Sequence, residues 1–416
     1  LEDSGGSGSL CWWRTVARSP VTADRIRSAY SSKHDERRSS NRSVLWLNCY
    51  EKYMNTRPTF HGSDIEKICE YYHLKKEYIT NFGANVNPLG LSPTVKEALA
   101  AHLDVLSTYP DREYTALREV LSGYCGIPAG FILPGNGSSE LIALLIEARS
   151  PKRTLILGPT YSEYSRELSF SGSTQAYYHL REESNFTLDV EDLCCTLESG
   201  GYDFLILCNP NNPTSSAILR DDMERLLSFC DEKDIFVMID ETYVEFAPDI
   251  SAVTAIPLTE KYPCLCVLRG VSKFFAAPGM RLGYAVSGNM EFLKKMKEKQ
   301  IPWSLNIIGA YAGELLFPDR EYIEKTRRLI LSERDRMYQA LSGCKTYKTY
   351  MPYANFLLLK IQKQGIGAFD VFETCIKKGL MIRDCSSFQC LDGEFIRFCL
   401  MMPEDNTRLL EVLQKI

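Results

Sequence analysis

The stretch Leu268-Arg269-Gly270-Val271-Ser272-Lys273-Phe274-Phe275-Ala276-Ala277-Pro278-Gly279-Met280-Arg281-Leu282-Gly283-Tyr284 decides how the rest of the chain is read. It starts where the apolar run Leu265 to Leu268 ends, a run with the length and composition of a buried strand. One lysine, Lys273, follows a serine and precedes two phenylalanines, neighbours that strip water from an amine. Lost hydration disfavours the ammonium form, and a neutral amine attacks carbonyl carbon. Arg281 follows the Pro278-Gly279 turn, where it can return to the same pocket and hold an anion. Taken alone, Lys273 reads equally as a snorkelling surface amine and Arg281 as half of an unrelated salt bridge. The remainder of the chain has to supply the case.

At 416 residues the chain is long enough for one large domain and a smaller one. A net charge of −5 and the absence of a dense basic patch exclude a nucleic-acid face. Lys294, Lys295, Lys297 and Lys299 read as one solvated helix face. No apolar run approaches the roughly 18 residues that cross a membrane, and no secretory signal is visible. The 15 cysteines form no C-x-x-C pair, and with five scattered histidines they make no zinc site. Reduced thiols in a cytoplasmic protein are the simpler account.

Residues 1–53 do not match the rest of the chain: Leu1 to Leu10 is Gly/Ser-rich, and Ser39 to Ser43 is polar. That segment reads as a disordered extension in which Trp12-Trp13 is an alternative docking anchor, and Met54 as a natural start. From His61 onward the pattern is orderly. Asp64 to Leu74 has helical spacing, Tyr78 to Gly90 is a short strand entering a turn, and Ser92-Pro93 opens a helix. A turn at Tyr109-Pro110-Asp111 precedes a helix over Thr115 to Gly123.

Five strands are predicted at Thr154 to Leu157, Phe204 to Cys208, Ile235 to Ile239, Leu265 to Leu268 and Tyr284 to Val286. Helices at Ser139 to Ala148, Ser162 to Ser171 and Asp221 to Lys233 fall between them. Short apolar strands alternating with amphipathic helices specify an α/β fold with a mostly parallel sheet covered on both faces. A long helix comes next, from Glu321 to Leu341. The segments Phe356 to Ile361, Phe369 to Lys378, Met381 to Cys385, Ile396 to Leu400 and Asn406 to Ile416 then make a smaller α+β domain.

Such sheets bind ligands beyond the carboxyl ends of their strands. Gly135-Asn136-Gly137-Ser138-Ser139-Glu140 opens directly into a helix, where small residues and free N–H groups suit a phosphate. As a dinucleotide fingerprint it fails, because Glu140 stands at the third glycine. Tyr161 offers an aromatic face, or simply core packing, and Asn209 to Thr214 forms a rigid turn rich in amides. Asp240 ends the apolar Ile235 strand, with Glu241 and Tyr243 behind it. A carboxylate there needs a cation, either a protonated pyridine nitrogen or a buried salt bridge. Amine, carboxylate, phenol, amide, aromatic face and phosphate cradle at successive strand ends describe a pyridoxal phosphate pocket.

In combination, N-N-P-T, D-x-x-Y, S-K and R-L-G-Y make the chain from His61 to its C-terminus resemble the fold-type I pyridoxal-phosphate enzymes of the class I/II aminotransferase family. Within it the likeness is greatest to the histidinol-phosphate aminotransferase branch, and especially to threonine-phosphate decarboxylases of cobalamin biosynthesis. The resemblance implies an aspartate-aminotransferase-like fold: an N-terminal arm with part of the small domain over 54–107, a large domain with a seven-stranded sheet over 108–305, and a small domain over 306–416. It implies that Lys273 carries the cofactor on its amine and later moves protons, while Asp240 pairs with the pyridine nitrogen. Tyr243 and Asn212 would bond the ring's phenolic oxygen, and Tyr161 would stack on the ring. Gly137, Ser138, Ser272 and Arg281 would hold the phosphate, joined by Tyr109 from a partner subunit, which implies a homodimer. Arg397 matches the arginine that clamps the substrate carboxylate.

His61-Gly62, the segment 82–90, G-N-G-S-S-E and I-P-W-S-L-N at 301–306 resemble the decarboxylase more than the aminotransferase. By that likeness His61, Asn85, Arg383 and Arg397 surround a small phosphorylated amino acid, L-threonine O-3-phosphate, whose product is 1-aminopropan-2-yl phosphate. Transamination in the manner of histidinol-phosphate aminotransferase, with 2-oxoglutarate or glutamate, is the alternative, and a non-catalytic regulator a lesser one. Three positions depart from the family pattern. Gly270 stands where a phosphate-binding hydroxyl is usual, Ser215 replaces the glycine after N-P-T, and Met401 replaces a second arginine. One lost hydroxyl contact weakens cofactor binding by about 1 kcal/mol.

Overall fold

The computed structural model describes Pro58, residues 60–62 and residues 64–416; the expectations for residues 1–53 and for Met54 lie outside the described residues. The strands are β1 (Thr80–Asn81), β2 (Ile132–Gly135), β3 (Arg153–Gly158), β4 (Thr174–His179), β5 (Phe204–Cys208), β6 (Phe236–Asp240), β7 (Leu265–Gly270) and β8 (Gly283–Val286). After them come β9 (Tyr347–Thr349), β10 (Phe356–Ile361), β11 (Leu380–Met381), β12 (Arg383–Asp384) and β13 (Phe395–Cys399). A seven-stranded sheet has the order β2-β8-β7-β6-β5-β3-β4. The pairings among β7, β6, β5, β3 and β4 are parallel, while β8 runs against both β7 and β2. The carboxyl ends of β2, β3, β5, β6 and β7 therefore share one edge with the start of β8.

Every residue of β5 and β6 is buried, as expected of strands covered on both sides. Alternation along β5 shows how. Phe204 and Ile206 pack with Leu141, Leu145, Tyr164, Leu168 and Met296, on the face covered by helices Gly137–Arg149, Glu163–Ser171 and Met290–Lys299. Leu205 and Leu207 belong to the opposite cluster, with Leu193 and Leu197 of Val190–Gly200 and Leu226 and Leu227 of Arg220–Glu232. A second, antiparallel sheet has the order β12-β13-β10-β9, and β1 pairs with β11 in parallel.

The five strands expected from sequence are all present, and β2 and β4 extend the sheet at its two edges. Neither edge strand is an apolar run: β2 contains Pro134, and β4 reads Thr-Gln-Ala-Tyr-Tyr-His, with only Tyr178 buried. Ser92 caps the helix Pro93–Ala101 with its hydroxyl accepting from Val95 N. The long helix spans Arg320–Ser342. Met381 to Cys385 resolves into two short strands rather than one, and the last helix starts earlier than expected, at Pro403.

Candidate functional site

Lys273 leaves β7 through the buried Val271, and its Nζ donates a hydrogen bond to the Ala84 carbonyl at 2.8 Å. Burial, and then the positive charge of Arg397, pulls its pKa down to about 8. Desolvation thus does what the flanking phenylalanines, both fully buried, led us to expect.

Asp240, at the end of β6, is 4% exposed. Tyr164 Oη donates to its Oδ2 at 2.7 Å, and Thr242 donates to Oδ1 through N at 2.9 Å and Oγ1 at 2.5 Å. All three donors are neutral. The buried salt bridge considered for Asp240 falls instead to its neighbour Glu241, whose partner is Arg269. Tyr161 lies edge-on to Tyr164, ring centroids 5.6 Å apart, and burial pushes its hydroxyl up to about 12. Tyr164 and Thr242 carry no motif; only the fold brings residue 164 to residue 240.

A second group faces these from the segment 83–85 and the small sheet. Asn85 Nδ2 donates to Tyr243 Oη at 3.2 Å, and Asn355 Nδ2 donates to the Asn85 carbonyl at 3.0 Å. Arg397, in β13, donates through Nη1 to Asn212 Oδ1 and through Nη2 to the Gly83 carbonyl at 2.7 Å. Burial raises the Tyr243 hydroxyl well above its ordinary value. Three buried polar atoms in this group, Asn85 Oδ1, Asn355 Oδ1 and Arg397 Nε, have no hydrogen-bond partner among the described residues. Such orphans are rare enough in folded proteins to call for a ligand or a water. Arg383 of β12 lies directly across the ladder from Arg397 and donates to Ser387 Oγ at 2.6 Å. His61 is at the exposed rim, its N–H on Asp64; partial burial and then the charge of Arg383 hold its imidazole below the usual pKa.

The residues read from sequence as a phosphate cradle converge at the reversed strand. Gly135, Gly283 and Gly270 are aligned partners across β2, β8 and β7, a row without side chains. A Cβ on Gly283 would lie 2.7 Å from Ser138 N. Gly137 has φ +82°, and a Cβ there would collide with Arg281 Nη2. That positive φ and the close approach are what require glycine. Glu140, the residue that spoils the dinucleotide fingerprint, accepts from Asn136 N at 2.6 Å and from Gln300 Nε2 at 3.3 Å, fixing the loop. Ser272 is half-buried next to Lys273. Gly270 contributes no hydroxyl, and a Cβ at that position would meet the Leu282 carbonyl at 3.3 Å. Ser215 adopts φ 60°, the conformation its usual glycine favours, and is held there by Ala354 N donating to its hydroxyl at 2.9 Å. Met401 sits beside Cys399, Sδ to Sγ 3.8 Å, so no cation replaces the missing arginine at that position.

Tyr109 stands apart from these groups, 81% exposed and tilted over Trp303 at 5.2 Å between centroids. No helix among the described residues is long and apolar enough to cross a membrane, and no cluster of metal-ligating side chains occurs among them.

The family model for aminotransferase class I and II matches residues 77–413. The threonine-phosphate decarboxylase of Salmonella typhimurium is 32% identical over 356 residues, covering 86% of this chain and 96% of the relative. The histidinol-phosphate aminotransferase of Methanococcus aeolicus is 30% identical over 358 residues, covering 85% and 94%. The crystal structure of the histidinol-phosphate aminotransferase from Clostridium acetobutylicum superposes with a TM-score of 0.75 at 31% identity, covering 80% of this chain and 98% of that one. The donor set fits pyridoxal phosphate: an amine of lowered pKa, an acid met only by neutral donors, and a glycine cradle beside a guanidinium. The chain belongs to the class I and II aminotransferases, a pyridoxal-phosphate-dependent enzyme family.

Proposed function

We propose that the protein decarboxylates a small phosphorylated amino acid, L-threonine O-3-phosphate, to 1-aminopropan-2-yl phosphate and CO2. The observation that carries this reading is the cationic wall opposite Asp240. Arg397 and Arg383 are paired across one ladder, with Arg397 Nε lacking a hydrogen-bond partner among the described residues and His61 at the rim. Two guanidiniums there suit a substrate with two anionic ends, a carboxylate and a phosphate. The relative from Salmonella typhimurium is named a threonine-phosphate decarboxylase.

When bound, pyridoxal phosphate supplies an electron sink for a bond broken at the substrate's Cα. The chain's own groups do the rest. Lys273 Nζ holds the cofactor and afterwards delivers the proton that replaces the lost carboxylate. Asp240, oriented by Tyr164 and Thr242, keeps the ring nitrogen protonated. Tyr243 and Asn212 would bond the phenolic oxygen and Tyr161 would cover the ring, while Gly137, Ser138, Ser272 and Arg281 would hold the phosphate. Arg397 clamps the substrate carboxylate; Asn85, Arg383 and His61 contact its phosphorylated end. The domain limits at 54–107, 108–305 and 306–416 belong to the same reading. So does a homodimer in which the exposed Tyr109, with Leu103, Leu106 and Ile301 exposed as well, reaches the partner's cofactor.

Transamination of the histidinol phosphate type is the second reading, favoured by the Methanococcus aeolicus and Clostridium acetobutylicum relatives. Product analysis decides between them. Release of CO2 from L-threonine O-3-phosphate is expected; glutamate-dependent amination of imidazole-acetol phosphate without CO2 release would overturn the decarboxylase reading.

A further inference from the structure

We propose that Arg269 is a positioning residue that holds the turn carrying Tyr243 in register with the strand leading to Lys273, acting through Glu241 and Glu245. The inference rests on the reading of Tyr243 as a cofactor-facing group. Arg269, Glu241 and Glu245 are all buried, and none of them belongs to the proposed cofactor or substrate contacts. Asp240 pairs with Leu268 in the β6–β7 ladder, so alternation sends Arg269 to the opposite face of the sheet.

There Arg269 Nε and Nη2 both donate to Glu241 Oε2, at 2.9 and 2.8 Å. Thr254 Oγ1 accepts from Arg269 Nη2 at 2.7 Å and donates to the same Glu241 oxygen at 2.9 Å. Ala255 N donates to Glu241 Oε1 at 2.5 Å. Glu245 Oε1 lies 3.7 Å from Arg269 Nη1, and its Oε2 has no hydrogen-bond partner among the described residues. The two acids stand symmetrically about Tyr243 in sequence, and both face one guanidinium. On the backbone, Glu241 N donates to the Leu268 carbonyl at 2.8 Å, and Arg334 Nη1 donates to the Phe246 carbonyl at 3.1 Å.

A buried ion pair is a poor source of net stability, because desolvation offsets its attraction and apolar groups of similar volume serve as well. What apolar groups do not reproduce is direction. The guanidinium and Thr254 hold one oxygen of Glu241 and Ala255 N holds the other, which fixes the carboxylate's angle and with it the turn between Asp240 and Phe246. Arg269 itself lies one residue before Gly270, at the end of the strand that leads to Lys273. One side chain thereby ties the Tyr243 turn to the lysine's own support.

The test is a thermodynamic cycle on the full-length protein with pyridoxal phosphate as the probe. An Arg269→Met/Glu241→Leu/Glu245→Leu variant removes the charges but keeps the volume. We expect its thermal midpoint to be retained and its cofactor Kd, titrated by absorbance on the apoprotein, to rise about tenfold. In a Tyr243→Phe background the same replacement is expected to cost nothing further, since Arg269 acts through Tyr243. An unchanged Kd in the triple variant, where Tyr243→Phe alone weakens binding, overturns the positioning role. So does an equal loss in both backgrounds. If Tyr243→Phe alone leaves the Kd unchanged, the cofactor reading of Tyr243 fails, and the positioning role with it. Should the triple variant not fold, Arg269→Lys keeps the charge and loses the fork, and the same cycle is read from it.

Discussion

The two walls of the site are built differently. On the sheet side, Asp240 has its oxygens met by Tyr164 and Thr242, and the cradle glycines lie in one aligned row. On the opposite side, Asn85, Asn355 and Arg397 each bury a polar atom without a hydrogen-bond partner among the described residues, and two arginines face each other across a ladder. The first wall has its carboxylate oriented by neutral donors and its backbone set in place. The second carries unmet hydrogen-bonding capacity and like charge, both of which an anion relieves. A cofactor that stays suits the first kind of surface, and a substrate that comes and goes suits the second.

Breaking the first wall at its reactive amine gives the largest effect. On the proposed reading Lys273→Ala removes both the attachment point and the proton carrier, and turnover is expected to fall at least about a hundredfold. Borohydride treatment of the unmutated holoprotein, with peptide mapping afterwards, is expected to fix the cofactor to Lys273 alone. Breaking the second wall should show in KM instead. Arg397→Gln leaves a buried site short of its cation, and we expect KM for the phosphorylated amino acid to rise about a hundredfold with the cofactor's absorbance retained. Equal losses in KM and cofactor affinity would erase the distinction between the walls.

Two smaller measurements sharpen it. Gly137→Ala forces a Cβ against Arg281 at φ +82°, and the cofactor Kd is expected to rise about tenfold, with KM for substrate unchanged. Lys273 titrates near 8 in the folded protein, below an ordinary lysine, so its neutral, nucleophilic fraction grows as pH climbs through that value. Cofactor capture by the apoprotein, tracked by stopped-flow absorbance, should therefore quicken with a midpoint close to pH 8. The same group gives a stability signature. Above about pH 8 the unfolded chain holds this proton longer than the folded one, so its contribution to apoprotein stability rises with pH up to the ordinary lysine range.

Part of the sheet wall was legible in the sequence because Lys273 and Asp240 each follow an apolar strand, and strand ends of a parallel sheet gather at one edge. Gly137 could be placed by the small residues that open a helix, and Arg281 by the Pro-Gly turn before it. What could not be read was their support. Tyr164 reaches Asp240 from a helix, and Arg269 looks like one more strand residue until its partner Glu241 is seen. The opposite wall was harder, since several of its bonds run to main-chain atoms: Arg397 to the Gly83 carbonyl and Asn355 to that of Asn85. Any residue offers a carbonyl, so no letter in the sequence marks one. The edge strands escaped for other reasons: β4 has one buried residue and leaves no apolar run, and Pro134 interrupts β2.

The reversed strand β8 has a consequence for how the protein lives in a cell. Because it runs against both neighbours, Arg281 at its head comes to Gly137 at the tail of β2, two points far apart along the chain. Closing so long a loop is among the later events of folding. A ligand gripped there rewards only molecules in which the loop has closed, and it withdraws them from the pool that proteases recognise. The amount of this protein should then track the supply of vitamin B6, falling when the vitamin is scarce even if synthesis is unchanged.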